Sequence, residues 1–336
     1  MRILSGVQPS GRLHLGNYFG AIRQFVELQN EGDALYFIAN LHSLTTVQDA
    51  AKLREFTLDT ALTYLSFGVD PQRAILFRQS DVPEHSELFW ILGSLVPLSH
   101  LERAHSYKEK TAKGLRADFG LFAYPILMAA DILLYGSDLV PVGKDQKQHV
   151  EFARDWAIKF NQTYVPKYDP ADPNGVKNGR PGVLRVPEPR IQAETATILG
   201  VDGQKMSKSY DNTIELFAPD NVIKKRIMGI KTDSSGVADP KPVEGSPLHS
   251  LLQILAPPSE FAELDRSWRE GGSGYGVYKQ RLLELFHATF DAARERRKEW
   301  ERDPGAVEAI LRDGAARART IASEQLERVK LATGLR

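Results

Sequence analysis

Along the first 145 residues, short continuous apolar runs alternate with longer amphipathic stretches. The runs ILSGV (3–7), ALYFIA (34–39), AILFRQ (74–79) and LVPV (139–142) read as strands. Their unbroken apolar character suits strands covered on both faces. Helical periodicity fills the intervals. One helix is expected from about Gly16 to Asn30 and another from about Ala50 to Phe67, with Gly68 as its C-terminal stop. A third starts near Pro83, and DQKQHVEFARDWAIKF (145–160) makes a fourth. Alternation of this kind predicts a parallel sheet with right-handed crossovers. Ligands of such sheets bind at the carboxyl ends of the strands.

Two stretches break the rhythm. Residues 97–136 hold polar SHLERAHSYKEKTAKGLRAD and then apolar LFAYPILMAADILLY, too much for a simple crossover, and are expected to be a helical insertion. VPKYDPADPNGVKNGRPGVLRVPEPR (165–190) is dense in Pro, Gly, Asn and Asp and reads as a loop or small hairpin. Beyond residue 210 strand patterns vanish, and helical periodicity carries APDNVIKKRIMGI, PLHSLLQIL, YGVYKQRLLELFHATFDAARERRKEW and AVEAILRDGAARARTIASEQLERV. The fold class expected is therefore α/β: a Rossmann-type parallel-sheet domain over 1–210 with a helical insertion at about 97–136. An all-helical domain follows over 211–336, the boundary falling near 209–212.

Composition adds mainly exclusions. With 336 residues, 42% of them hydrophobic, the chain can bury a large core. A formal net charge of zero points to no particular partner. The absence of cysteine rules out disulfides and thiolate zinc sites and makes an intracellular address the easier reading. The apolar stretch in MRILSGVQPSG is too short for a signal peptide, and no run reaches the ~18 apolar residues of a membrane span. A soluble, cytoplasmic protein without membrane association is expected. The histidines show no HExxH, and His100 and His105, five apart, fall on the wrong faces for a helical pair, so no bound metal site is expected.

Two segments carry chemistry. In SGVQPSGRLHLGNYFGA (5–21) a strand ends, a Pro/Gly loop follows, and a helix starts near His14 to Asn17. Free N–H groups and the helix dipole favour phosphate there. An imidazole at His14 can donate to a phosphate oxygen, Gly16 lets a flat base approach backbone, and Asn17 adds an amide donor. On its own, the turn fits equally well a loop whose Gly, Pro and Ser merely bend the chain and whose His14 is a cap. Neither GxGxxG after the first strand nor GxxxxGK[ST] occurs. The second segment is GQKMSKSYDN (203–212). Lys205 and Lys208 on one loop can swing two charges onto a polyphosphate, and lysine suits a phosphate that is gripped and then released. The plain alternative is a solvated surface loop.

HLGN (14–17) together with KMSKS (205–209) resembles the paired signatures of the class I aminoacyl-tRNA synthetases. The stretches SGVQPSGRLHLGNYFGA, YPILMAADILLY and VPVGKDQKQH resemble the bacterial tryptophanyl-tRNA synthetases, and the match runs from residue 2 to beyond 330. Asn17 fits a family in which Asn commonly replaces the second His of the first signature. The resemblance implies roles. Gln8, Pro9, Ser10, Gly16 and Asn17 would line an ATP site, with His14 near the α-phosphate. Gly143, Lys144 and Asp145 would hold the ribose, and Thr197 and Ile198 would lie against adenine. Lys205, Met206, Ser207, Lys208 and Ser209 would form the pyrophosphate loop, with Lys110 as a third cation. Asp131 would accept the indole N–H, with Met128, Tyr124, Leu4, His42, Val140 and Val142 shaping the amino-acid pocket and Gln146 meeting its amino or carboxylate end.

Some of these have independent readings. Asp131 interrupts an apolar run, where a buried carboxylate needs a donor, although a helix-surface aspartate fits equally. Met128 alone is ordinary core filling, and His42 alone is a satisfied polar residue as readily as a ligand. The implied reaction joins tryptophan to the 3′ end of tRNA(Trp) through an adenylate, with ATP carrying Mg²⁺ on its phosphates and a homodimer as the assembly. Alternatives are a tyrosyl-tRNA synthetase, a small-molecule nucleotidyltransferase, a non-catalytic tryptophan- or RNA-binding paralogue, or a divergent paralogue acting on a modified tryptophan. Lys224–Lys225–Arg226 and Arg294 with Arg296–Arg297–Lys298 stand out as candidate phosphate contacts or solvated helix faces.

Overall fold

The computed structural model describes residues 1–105, 107–108, 118–143, 146–191 and 198–336. Among the described residues five strands form one all-parallel sheet: β1 (Arg2–Val7), β2 (Asp33–Ile38), β3 (Ala74–Arg78), β4 (Leu139–Val142) and β5 (Glu188–Ile191), in the spatial order β3-β2-β1-β4-β5. The register pairs Leu4 with Leu35 and Phe37 with Phe77, so large apolar side chains stack across neighbouring strands. Four strands were legible as apolar runs. β5 was not: EPRI carries two charges and a proline inside a segment expected to be a loop. Its edge position explains the composition, because Pro189 is tolerated where one side of the ladder needs no donor.

Helices cover the sheet. α1 (Ala50–Phe67) starts on Asp49, whose carboxylate accepts from the N–H groups of Ala51 and Lys52 at 2.8 and 3.0 Å, and ends on Gly68 at φ 96°. α2 (Glu84–Gly93), α3 (Phe119–Leu134) and α4 (Lys147–Tyr164) follow. A buried core joins Leu4, Leu35, Phe37 and Phe77 of the sheet to Ala130 and Leu133 of α3 and Trp156 and Phe160 of α4. The helix expected over 16–30 is divided into a turn at Leu15–Asn17, a π-helical stretch at Tyr18–Ile22 and a helix at Arg23–Leu28. Tyr18 packs edge-on to Phe290 at 5.0 Å, a tertiary contact that competes with a regular helical period.

Two compact units emerge, and they divide the chain differently from the expected boundary at 210/211. The first comprises Met1–Ser10, Arg23–Gln192 and Asp303–Arg336, the second Gly11–Ile22 and Ala193–Arg302. The last helix, α9 (Pro304–Thr333), thus belongs with the sheet. Its Ala318, Ala322 and Val329 enter the sheet's core. Its backbone lies so close to β3 that a Cβ on Gly314 would stand 1.8 Å from the Leu76 carbonyl oxygen. Arg78 of β3 forks onto Glu308 through two bonds of 2.8 Å, and Arg319 reaches Glu84 at 2.9 Å. The second unit contains α5 (Asp220–Met228), α6 (Pro247–Leu255) and α8 (Tyr275–Arg302), helical as their periodicity predicted, and a further helix, α7 (Pro258–Glu270).

Candidate active site

In the second unit the two sequence signatures are brothers in space. Residues 13–15 run antiparallel to 214–216: Leu216 N–H donates to the Leu13 carbonyl at 3.2 Å and Leu15 N–H to the Ile214 carbonyl at 3.1 Å. This pairing, two residues past the lysine loop, ties the HLGN turn to KMSKS. His14 caps the turn: its Nδ1 accepts from Gly16 N–H at 3.1 Å, and Asn17 Oδ1 accepts from His14 N–H at 3.0 Å. The cap also fixes the tautomer. A neutral imidazole that accepts at Nδ1 carries its proton at Nε2, which is then a donor. Burial, and next the Lys208 ammonium, push the His14 pKa down to about 4, so the ring stays neutral at ordinary pH. The readings of His14 as cap and as donor are therefore compatible, each using a different nitrogen.

Lys208 starts a short 3-10 turn at Lys208–Tyr210 that places the backbone of Ser209. Its side chain lies along Gly11, where a Cβ would come within 3.1 Å of Lys208 Cδ and 3.3 Å of Nζ; at φ 134° Gly11 also occupies backbone space that L residues avoid. Met206 is buried and donates its N–H to the Ile198 carbonyl at 2.8 Å, whereas Lys205 is exposed. A Cβ on Gly16 would sit 3.9 Å from Met206 Cβ, so the two signature segments approach backbone to side chain. The arrangement gathers one imidazole N–H donor and a lysine ammonium beside glycine-opened backbone. That is the equipment for binding an anion and stabilising charge that develops on it.

The sheet unit holds a different constellation at the carboxyl ends of its strands. Gln8 follows β1, His42 follows β2 and Gln79 follows β3. His42 and Gln79 converge on Asp131 of α3, which is 1% exposed and no surface residue. Asp131 Oδ1 accepts from Gln79 Nε2 at 2.7 Å, and Oδ2 lies 2.8 Å from His42 Nε2. His85 Nδ1 stands 2.7 Å from Oδ1 without the alignment of a hydrogen bond, and its Nε2 is 2.8 Å from the Tyr135 hydroxyl. Burial works to raise the Asp131 pKa; His42 and His85 outweigh it and bring it down to about 2. The result is an ionised, buried carboxylate. A carboxylate offers about four acceptor positions, so this one retains capacity for a further donor.

Around it, the ring of Tyr124 meets His42 edge-on at 6.2 Å, and the Tyr124 hydroxyl is 2.7 Å from His149 Nε2. Leu4 and Val140 belong to the buried core, and Met128 and Val142 are partly buried against that core. Gln8 Nε2 donates to the His42 carbonyl at 3.2 Å, the Pro9 carbonyl accepts from Ser43 Oγ–H at 3.1 Å, and Ser10 N–H bonds back to Gln8 at 2.9 Å. Gln146, at the start of α4, donates its N–H to the Gly143 carbonyl at 3.0 Å. Lys110, Lys144, Asp145 and Thr197 lie outside the described residues, as does the side chain of Ser209.

Three neighbours escaped the sequence reading: Gln79, His85 and Asn212. Gln79 had a usable signal, standing just past a strand end as Gln8 and His42 do. Of the basic clusters, Arg294 is largely buried and donates to the carbonyls of Leu216 and Ala218 at 3.0 and 2.9 Å, while Arg297 lies over the Phe217 ring at 4.5 Å and bonds Glu301. Both hold helix α8 to its own unit. Among the described residues no group of three or more His, Asp or Glu could hold a metal ion, and no helix is long and apolar enough to cross a membrane.

Residues 1–290 match the family described as tRNA synthetases class I (W and Y). The tryptophan–tRNA ligase of Campylobacter jejuni is 45% identical over 335 residues, and that of Rhodopirellula baltica 47% identical over 336, each alignment covering 100% of both chains. The ligase of Fusobacterium nucleatum is 46% identical over 337 residues, 99% of this chain and 98% of its own. The crystal structure of the Campylobacter jejuni tryptophanyl-tRNA synthetase complexed with ADP and tryptophan superposes with a TM-score of 0.86 at 45% identity, covering 99% of this chain and 100% of that one. With both signature segments joined in one unit and this likeness running along the whole chain, the protein belongs to the class I aminoacyl-tRNA synthetases, in the family of the tryptophan and tyrosine enzymes.

Proposed function

We propose that the chain is a tryptophan–tRNA ligase working in two steps. A carboxylate oxygen of tryptophan attacks the α-phosphorus of ATP, the bond to the bridging oxygen breaks, and pyrophosphate leaves. A ribose hydroxyl at the 3′ end of tRNA(Trp) then attacks the acyl carbon, losing its proton, and AMP departs. No protein nucleophile is required, so positioning and charge stabilisation do the work. The observation that carries this reading is the pairing of residues 13–15 with 214–216, which sets a neutral His14 beside Lys208.

In this assignment His14 Nε2–H donates to the α-phosphate region, and Lys205 and Lys208, with Lys110, stabilise the departing pyrophosphate. Gln8, Pro9, Ser10, Gly16, Asn17, Gly143, Lys144, Asp145, Thr197 and Ile198 serve ATP, whose Mg²⁺ enters on the phosphate oxygens as part of the substrate. Asp131 takes the indole N–H within an apolar setting made by Leu4, Met128, Val140 and Val142, with His42, Tyr124 and Gln146 completing the amino-acid site. One acceptor among apolar walls suits a large ring with a single donor. Of the stretch 211–336, the helices up to residue 302 are assigned to the anticodon end of the tRNA, since α9 packs with the sheet. A cytoplasmic homodimer fits the exposed apolar side chains Leu98 and Phe119 of the insertion, 67% and 73% accessible.

Amino-acid-dependent exchange of labelled pyrophosphate into ATP, run with each of the twenty amino acids, tests the proposal. Tryptophan alone should drive exchange. Exchange with tyrosine, or none with any amino acid, overturns the assignment.

A further inference from the structure

We infer that Asn212 is a positioning residue of the lysine loop, using one buried side-chain amide to lock the backbone on both sides of Met206 so that Lys205 and Lys208 present their charges in a fixed geometry. The inference rests on the reading of that loop as the pyrophosphate grip. Asn212 is 1% exposed. Its Oδ1 accepts from Ser207 N–H at 2.7 Å, and its Nδ2 donates to the Lys205 carbonyl at 3.1 Å and to Asp202 Oδ1 at 2.8 Å. Three of the four bonds an amide can make are thus spent on one loop, including the peptide groups of Lys205 and of the residue just before Lys208.

The amide is itself held. Asp202 Oδ1 also accepts from Gln204 N–H at 3.0 Å, and the Asn212 carbonyl accepts from Val201 N–H at 3.0 Å. Gly200 lies flush against the amide: a Cβ there would fall 2.3 Å from Asn212 Cγ. Next to it, Asp211 takes the left-handed conformation at φ 47°, and Arg226 donates to its carbonyl at 2.8 Å, fixing the bend by which the chain leaves the loop. Only an amide serves here. A carboxylate would face the Asp202 carboxylate and the Lys205 carbonyl with no donor, and a methyl group would leave Ser207 N–H and the Lys205 carbonyl unpaired.

The test compares Asn212→Ala, Asn212→Asp and the exchanged pair Asp202→Asn/Asn212→Asp, in which donor and acceptor trade places. Tryptophan-dependent pyrophosphate exchange gives kcat and the ATP KM, and equilibrium dialysis without ATP gives the tryptophan Kd. Either single change should lower kcat about 10- to 100-fold with the tryptophan Kd moved less than about twofold, and the exchanged pair, which restores the bond between 202 and 212 but leaves the Lys205 carbonyl without its donor, should regain part of the loss, about threefold or more over Asn212→Asp. Exchange by Asn212→Ala within about threefold of the parent, a tryptophan Kd lost in step with kcat, or an exchanged pair no faster than Asn212→Asp each overturns the inference. An inactive parent protein strikes the reading of the loop instead, and the inference falls with it.

Discussion

His14 offers a clean separation of structure from chemistry, because its two nitrogens have different duties. Nδ1 accepts the Gly16 N–H as a helix cap, and Nε2–H is the donor proposed to meet the phosphate. Asparagine at this position keeps an acceptor in the place of Nδ1 and is among the best N-caps, but it has nothing in the place of Nε2. Alanine removes both. The cap bond contributes about 1 kcal/mol, and since His14 is 6% exposed, alanine adds a cavity term of similar size. Loss of one preorganised donor to a developing charge costs about 10²–10³ in rate. The expectation is that His14→Ala and His14→Asn lose about equal catalysis, while only His14→Ala loses stability, by about 2 kcal/mol. Tryptophan-dependent pyrophosphate exchange measures the first and urea denaturation the second. Because the ring is neutral above about pH 4, the parent kcat should show no inflection near pH 6.5 from this group. The reasoning is refuted if His14→Asn exchanges at the parental rate, which would take Nε2–H out of the reaction, or if it is as unstable as His14→Ala.

Lys208→Ala should lower kcat for exchange far more than it raises the ATP KM, and should also raise the His14 pKa, since a neighbouring positive charge is removed; NMR titration of the imidazole checks the second effect. Asp131→Asn should raise the KM for tryptophan about 100-fold or more, leaving the ATP KM within about twofold. The same carboxylate, with its pKa held near 2 against an ordinary 3.8, stabilises the fold by on the order of 2 kcal/mol above pH 4, a contribution lost as pH falls towards 2. Urea midpoints followed across that window should fall more steeply for the parent than for Asp131→Asn. Gly314→Ala should destabilise the sheet unit by about 3 kcal/mol or more, although alanine is the better helix former by about 1 kcal/mol, because its Cβ has no room against Leu76; a thermal melt that rises would contradict the close packing of α9.

Local patterning made much of the sheet legible. β1 to β4 and α1 announce themselves by apolar runs, helical periodicity and a terminal glycine, all short-range devices. What escaped depends on partners far along the chain. β5 is stabilised by pairing with β4 rather than by its own composition, and α9 joins the sheet because a glycine in its middle lets it touch β3. The site divides in the same way. His14 and Lys208 were readable as signatures, but their meeting depends on a ladder between 13–15 and 214–216 that no motif encodes. Asp131 could be singled out as a carboxylate in an apolar run, whereas Gln79 and His85 become its partners only once the end of β3 and the start of α2 are packed against α3.

The packing of α9 on β3 sets a condition on biosynthesis. When translation has reached residue 302, every strand has been made, yet the helix that seals one side of the sheet has not. At about 5–20 residues per second, the nascent polypeptide waits several seconds with an apolar edge uncovered, which makes this edge a place for chaperones to act and for prematurely terminated chains to aggregate.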